Sequence, residues 1–240
     1  MIQLEGLNKS FGALHAVKDL NLEVPAGELF CFLGCNGAGK TTTIKMMTGL
    51  VRPDAGRIML DGINAIADPV PAKSIMGYIP DMPFLYDRLT VSEFAQFSAD
   101  LYRMPRAESQ KDIGTYLEIF GLTDKRSTLI KDLSHGMRQR VIYASTLLHR
   151  PKILLVDEPF IGLDPHSIRM LKDLLRARTR EEGMTIFMTT HILAIAEEIA
   201  DRIGIIDHGK LIACGTMDEL REREAHTGAL EDLFLQLTMT

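Results

Sequence analysis

The sequence predicts an α/β fold with a mostly parallel sheet, a small antiparallel β subdomain and an inserted helical subdomain. Three observations predict it. The continuous apolar runs Leu29-Phe30-Cys31-Phe32-Leu33 and Ile153-Leu154-Leu155-Val156 have the character of parallel strands buried on both faces. Segments 2–7 and 20–24 instead alternate apolar and polar residues, as half-buried antiparallel strands do. Between residues 90 and 150 the pattern is mostly helical, with turns near Gly121 and Ser134.

The elements follow in order. Segments 2–7 and 20–24 and an edge strand from Gly56 to Asp61 form the antiparallel part, with turns at Pro25-Ala26-Gly27 and Gly62. The run at 29–33 is a core strand, and Met76-Gly77-Tyr78-Ile79 is a short one that stops at Pro80. Thr90 and Glu93 have the spacing of a capping box, and Phe94, Phe97 and Leu101 share one helical face. After the strand at 153–156 come a helix over 166–182 closed by Gly183, a strand over 185–190, a helix over 191–200 and a strand over 203–206. Strands alternating with helices imply parallel βαβ units. The segment 230–235 reads as a short docking helix near the C-terminal end. Residues 1–89 and 151–220 thus form the expected core with its antiparallel part, 90–150 the helical subdomain and 221–240 a docking segment.

The 240 residues suffice for one sizeable core. A net charge of −5 argues against a dedicated nucleic-acid binder, which carries a basic footprint. No apolar run approaches bilayer length, and Met1-Ile2-Gln3-Leu4-Glu5 lacks the regions of a signal peptide. Three cysteines, Cys31, Cys35 and Cys214, show neither metal spacing nor a paired framework. The expectation is a cytoplasmic protein that meets a membrane only through a partner.

Chemistry concentrates at Gly34-Cys35-Asn36-Gly37-Ala38-Gly39-Lys40-Thr41, a G-x-x-x-x-G-K-T phosphate loop between a buried strand and a helix start. Its glycines let successive backbone N–H groups point into one concavity that suits phosphate oxygens, and the helix N-terminus beginning at Thr41-Thr42 adds positive dipole. Lys40 is placed to reach the β- and γ-phosphates of a nucleoside triphosphate, and the Thr41 hydroxyl to hold Mg²⁺. The fold expectation sharpens accordingly to a P-loop NTPase core. Asp157-Glu158 follows the strand at 153–156, at the end where open α/β sheets bind ligands. Two adjacent carboxylates there need a cation or a proton. Asp157 fits the Mg²⁺ shell and Glu158 a base for an attacking water. His191 ends the next strand, where it can donate to the γ-phosphate. Leu133-Ser134-His135-Gly136-Met137 opens a helix with Ser134 as N-cap, a second anion-binding end.

Taken in order, these segments resemble the ATP-binding subunit of an ABC transporter over nearly the whole chain. The phosphate loop comes first, then Ile79-Pro80-Asp81 at the glutamine loop, then the signature Leu133-Ser134-His135-Gly136-Met137. Leu154-Leu155-Val156-Asp157-Glu158-Pro159, Gly162-Leu163-Asp164-Pro165 and the switch His191 follow. The resemblance implies a two-lobed fold and a head-to-tail dimer of a second copy or a paralogous subunit. Each ATP then sits between the phosphate loop of one subunit and Ser134, His135, Gly136 and Met137 of the other. It also implies that Phe11 stacks on adenine and that Asp164 lines the dimer interface.

Three positions depart from the family pattern. Asp81 stands where a Gln is usual, and the shorter carboxylate is assigned to the metal shell. His135 replaces a glycine: a positive φ there implies strain, and a negative one implies a donor near the γ-phosphate. Cys35 replaces a proline and is expected to react with alkylating reagents, with bound ATP protecting it. The stretch from Tyr78 to Val91 and the segment from Leu230 to Thr238 are similar to subunits paired with exporter-type permeases that handle drugs, peptides, lipids or polysaccharides. The resemblance therefore implies an integral-membrane permease partner seated near residues 81–105. Alternatives are an importer subunit, a soluble ATP-driven switch on ribosomes or DNA, and a subunit that holds ATP without cutting it. The single domain, absence of sustained heptads and acidic balance speak against the switch, and Glu158 and His191 against the non-hydrolysing subunit.

Overall fold

The computed structural model describes residues 1–82, 84–161, 163–223, 230 and 234. Among the described residues, two sheets lie face to face. The smaller contains β1 (Ile2–Phe11), β2 (Leu14–Val24), β4 (Ala55–Leu60) and β5 (Ile63–Asn64), in the antiparallel order β2-β1-β4-β5. The larger contains β3 (Leu29–Leu33), β6 (Met76–Ile79), β7 (Ile153–Asp157), β8 (Thr185–Thr190), β9 (Arg202–Asp207) and β10 (Lys210–Gly215). Its order is β10-β9-β3-β8-β7-β6, parallel except for the β9–β10 hairpin. The helices are α1 (Lys40–Met47), α2 (Pro69–Ser74), α3 (Val91–Leu101), α4 (Arg106–Ile119), α5 (His135–Leu147), α6 (Pro165–Glu182), α7 (Leu193–Ile199) and α8 (Met217–Arg223).

Strand alternation builds two cores from one central sheet. Phe30, Phe32, Leu155 and Phe187 face the small sheet, where they meet Ile2, Leu4, Val24, Ile58 and Leu60. The neighbouring Leu29, Cys31, Leu33, Leu154 and Val156 face the helices, where Val141, Ala144, Leu171 and Leu175 cover them. All five residues of β3 and of β7 are buried, which explains why their sequences read as unbroken apolar runs.

The mostly parallel sheet and separate antiparallel sheet match the expected fold class. The structure adjusts several bounds. β1 and β2 are longer than segments 2–7 and 20–24, because the hairpin around Gly12 keeps pairing out to Phe11 and Leu14. The strand expected at the edge, β4, instead lies between β1 and the two-residue β5. The helix expected from His191 starts at Leu193, since the Thr190 hydroxyl accepts from the Ile192 N–H and holds residues 191–192 out of the helix. The capping box is present: Thr90 Oγ1 accepts from the Glu93 N–H, and Glu93 accepts from the Thr90 N–H. On the helix it opens, Phe94 is buried but Phe97 and Leu101 are exposed, so the shared apolar face is only partly used by this chain. α6 ends at Gly183 in the left-handed conformation, as its sequence indicates. Of the segment 230–235, only Leu230 and Phe234 are described, so the docking helix lies outside the described residues.

Candidate functional site

The strand β3 ends at Leu33 and α1 begins at Lys40, so residues 34–39 turn tightly between them. Two glycines make the turn possible. A Cβ on Gly34 would stand 2.4 Å from the Ile206 carbonyl oxygen. One on Gly39, whose φ is 113°, would stand 2.5 Å from the Ala16 carbonyl oxygen. Any side chain there would push the loop off β9 and β2. Within the loop the Ala38 N–H donates to the Cys35 carbonyl, and the Gly209 N–H donates to the Ala38 carbonyl. Gly39 caps α1 without a side chain, so no side-chain acceptor takes up the helix's first N–H donors. Cys35, Asn36 and Gly37 are exposed, while Thr41 and Thr42 are half-buried. Lys40 is 5% exposed, and its Nζ donates to the carbonyls of Gly34 at 2.7 Å and Cys35 at 3.2 Å.

The carboxylates stand beside this loop. Asp157 is the last residue of β7 and is 1% exposed. Its Oδ1 accepts from the hydroxyls of Thr41, at 3.2 Å, and Thr189, at 2.6 Å. Its Oδ2 is buried and has no hydrogen-bond partner among the described residues. Burial pushes the Asp157 carboxyl above its ordinary range; the two hydroxyls oppose that, and the charges of Glu158 and Asp81 add to it. A buried carboxylate oxygen with no donor, next to a threonine hydroxyl and a phosphate loop, fits a divalent cation.

Glu158 follows in the left-handed region at φ 50°. That conformation costs roughly 1–2 kcal/mol in a residue with a side chain. Its N–H is held by the carbonyl and hydroxyl of Thr189, both at 3.2 Å. The turn aims the carboxylate back over the loop. Oε1 lies 3.6 Å from Lys40 Nζ, and Oε2 lies 3.0 Å from His191 Nδ1 and accepts from the His191 N–H at 3.3 Å. Lys40, Thr41, Asp157, Glu158 and His191 therefore meet in one place.

Other expected residues lie apart from that cluster. Asp81 is exposed just beyond β6; its charge helps to push up Asp157 and Tyr78, without a hydrogen bond to either among the described residues. Phe11 is half exposed at the β1–β2 hairpin, so it is not part of the core. Ser134 caps α5 by accepting from the Met137 N–H at 3.3 Å. His135 is the first residue of that helix and has no positive φ, so it carries no glycine-type strain. Ser134 and His135 are exposed, and among the described residues nothing bonds residues 134–137 to the phosphate loop. Asp164 is exposed and caps α6, accepting from the N–H groups of His166 and Ser167 and from the Ser167 hydroxyl; these bonds hold its carboxyl below the usual range. Gly162 lies outside the described residues.

A family model described as ABC transporter matches residues 17–161 of this chain. The chain belongs to the ABC transporter family. It is an ATP-binding and ATP-hydrolysing subunit of that family. The linearmycin resistance ATP-binding protein LnrL of Bacillus subtilis (strain 168) is 36% identical over 240 residues, which span 100% of this chain and 75% of LnrL. A solved ATP-binding subunit of an ABC transporter superposes with a TM-score of 0.93 at 32% identity, covering 99% of both chains. A dimeric ATP-binding cassette in a post-hydrolysis state, bound to ADP and Pi, superposes with a TM-score of 0.82 at 26% identity, covering 90% of this chain and 99% of the other.

Within this ABC ATPase fold, one polar residue escaped the reading from sequence. Thr189 is fully buried, directly opposite Asp157 in the β7–β8 register, and bonds both Asp157 and the backbone of Glu158. Its only signal in the sequence is a hydroxyl among the apolar residues of a buried strand, two residues before His191. The pairing that gives it a role exists only once β7 and β8 are in register.

Proposed function

We propose that this chain powers export through an integral-membrane permease, with two copies, or one copy and a paralogue, closing head to tail around ATP. The observation that carries the hydrolytic reading is the convergence on Glu158. This buried carboxylate is turned into the left-handed region and held between Lys40 and His191 beside the phosphate loop. Glu158 is the base that takes a proton from the attacking water. His191 holds Glu158 in that orientation and presents its second ring nitrogen to the γ-phosphate. The backbone N–H groups of residues 34–42 cradle the phosphates, and Lys40 exchanges its loop carbonyls for the β- and γ-oxygens. Thr41 and Asp157 would hold Mg²⁺, with Asp81 contributing to its outer shell. The ion, when bound, neutralises charge on the β- and γ-oxygens.

Residues 134–137 form the other half of the site, supplied in trans. The exposure of Ser134 and His135 and, among the described residues, the lack of bonding to the phosphate loop of the same chain support this. So does the dimeric state of the solved cassette with ADP and Pi. Asp164 sits at that interface, and Phe11 stacks on adenine. Residues 90–150 act as a separate lobe that carries the signature to its partner.

The permease is proposed to seat on the apolar surface near residues 81–105. Met82 and Phe84 are more than four-fifths exposed, and Leu101 is 65% exposed. A groove of about 420 Å³ lies between Phe84 and Leu101, with Tyr78, Phe94, Tyr102 and Ile142 among its walls. Apolar side chains at that density mark a protein contact. Among the described residues no helix is long and apolar enough to cross a membrane. On this proposal the permease is its anchor, and the chain works in the cytoplasm, peripheral on the inner face of the cell membrane. Export accords with a relative named for resistance to linearmycin.

Mixing two inactive variants tests the composite site. Lys40→Ala destroys the phosphate loop, and Ser134→Arg destroys the signature. In a head-to-tail mixed dimer, both defects fall in one site and the other is intact. Recovery of ATPase activity on mixing supports the proposal; activity no greater than the sum of the two separate variants overturns it.

A further inference from the structure

The phosphate loop leans on the strand that carries the other half of the β1–β2 hairpin. Gly39 approaches the Ala16 carbonyl so closely that a Cβ would stand 2.5 Å from it and 3.5 Å from Val17 Cγ2. Val17 is the cross-strand partner of Lys9, and Leu14 that of Phe11. Lys9 and Phe11 therefore lie at the rim of the nucleotide site. There Lys9 is unusual for a surface lysine: its side chain is only 15% exposed. Its Nζ stands 5.4 Å from the centre of the Phe11 ring and donates to Asp54 Oδ1 at 2.8 Å. Asp54 is fixed in turn, accepting at Oδ2 from the Ser10 N–H at 2.7 Å, while its own N–H donates to the Asn8 carbonyl. The Lys9 ammonium and the Ser10 N–H hold the Asp54 carboxyl below its usual range.

We propose that Lys9, anchored by Asp54, is a positioning residue for nucleobase binding: it covers one face of Phe11 and leaves the other for adenine. A cation on one face fixes the ring against rotation and draws its π-electron density, which favours stacking of an electron-rich base on the opposite face. The inference rests on the reading that Phe11 meets the base. It adds a three-residue support, Asp54, Lys9 and Phe11, in which the cation acts through the ring and not on the phosphates.

The test compares a ligand that has the base with one that lacks it. Dissociation constants of Mg-ATP and of magnesium tripolyphosphate are measured by calorimetry on the full chain, for the wild type, Lys9→Met, Lys9→Arg, Asp54→Asn and Phe11→Ala. Lys9→Met is expected to weaken ATP about two- to fivefold, the range of an exposed cation–π contact, and to leave tripolyphosphate unchanged. Asp54→Asn changes ATP in the same direction, and Lys9→Arg restores most of the loss. In turnover the effect falls on KM for ATP rather than on kcat. Equal weakening of both ligands by Lys9→Met would overturn the proposal by showing that the cation acts on the phosphates. Unchanged ATP binding in Lys9→Met, with Phe11→Ala weakened, would overturn the support while leaving Phe11 its role. Unchanged ATP binding in Phe11→Ala would remove the adenine reading itself.

Discussion

The phosphate-loop side and the signature side of the proposed ATP site differ in how far each completes its own bonding. On the first, Lys40, Asp157 and Glu158 are almost wholly buried, and bonds from Thr41, Thr189 and His191 interlock them. On the second, Ser134 and His135 are exposed, and among the described residues the Ser134 hydroxyl bonds only the Met137 N–H of its own helix. Both sides use a helix N-terminus, yet one is built into a socket and the other is presented on a surface. On the proposed reading, the difference separates a pre-arranged hydrolytic half from a recognition half whose ligand lies on another chain.

Lys40→Ala and Ser134→Arg should separate the two halves most strongly. Both are expected to lower turnover by at least about 10²-fold, the scale of losing one fixed charge or donor at a developing anion. Only Lys40→Ala should also abolish ATP binding by the isolated chain, since Lys40 belongs to the pre-arranged half. Calorimetric titration of each variant at a concentration that keeps it monomeric checks this, and loss of binding in Ser134→Arg would erase the distinction.

A smaller effect concerns stability. The pre-arranged half holds a buried carboxylate oxygen with no donor, in Asp157, and burial pushes that carboxyl up. Ionised Asp157 therefore opposes folding until a cation joins it. Asp157→Asn is expected to raise Tm in EDTA by about 2–4 °C, the equivalent of about 1 kcal/mol for a chain of this length, while turnover is lost. The exposed half stores no such cost, so Ser134→Ala is expected to lower Tm slightly through its lost cap. Differential scanning fluorimetry compares the two, and a lowered Tm for Asp157→Asn would contradict this account of the site.

The smallest expected effect is kinetic protection. Cys35 is an exposed, free thiol on a loop whose carbonyl groups engage Lys40 and the Ala38 N–H. Mg-ATP is expected to slow its alkylation while leaving Cys214 labelling unaffected. Mass spectrometry of N-ethylmaleimide adducts reads both sites, and equal rates at Cys35 with and without nucleotide would count against ATP lying on this loop.

Much of this contrast was legible in the sequence because it is written in short-range patterns. The glycines, Lys40 and Thr41 sit within one turn, and the unbroken apolar run before Asp157 announces a buried strand ending in charge. The Thr90 and Ser134 caps were legible for the same reason, being three-residue relations. What escaped depends on register between distant strands. Thr189 meets Asp157 only because the strands align them, and the role proposed for Lys9 depends on its bond to Asp54, 45 residues away. The exposure of Phe97 and Leu101 escaped for a different reason: periodicity marks an apolar face but cannot say whether this chain or another covers it.

The central claim is that the recognition half of one chain completes the hydrolytic half of another. Glu158→Gln tests it most directly, because it removes the proposed base while keeping shape and hydrogen bonding. Light scattering coupled to size exclusion, with saturating Mg-ATP, should find this variant as a dimer that persists because the nucleotide is not cut. A Glu158→Gln protein that remains a monomer under those conditions would contradict the account.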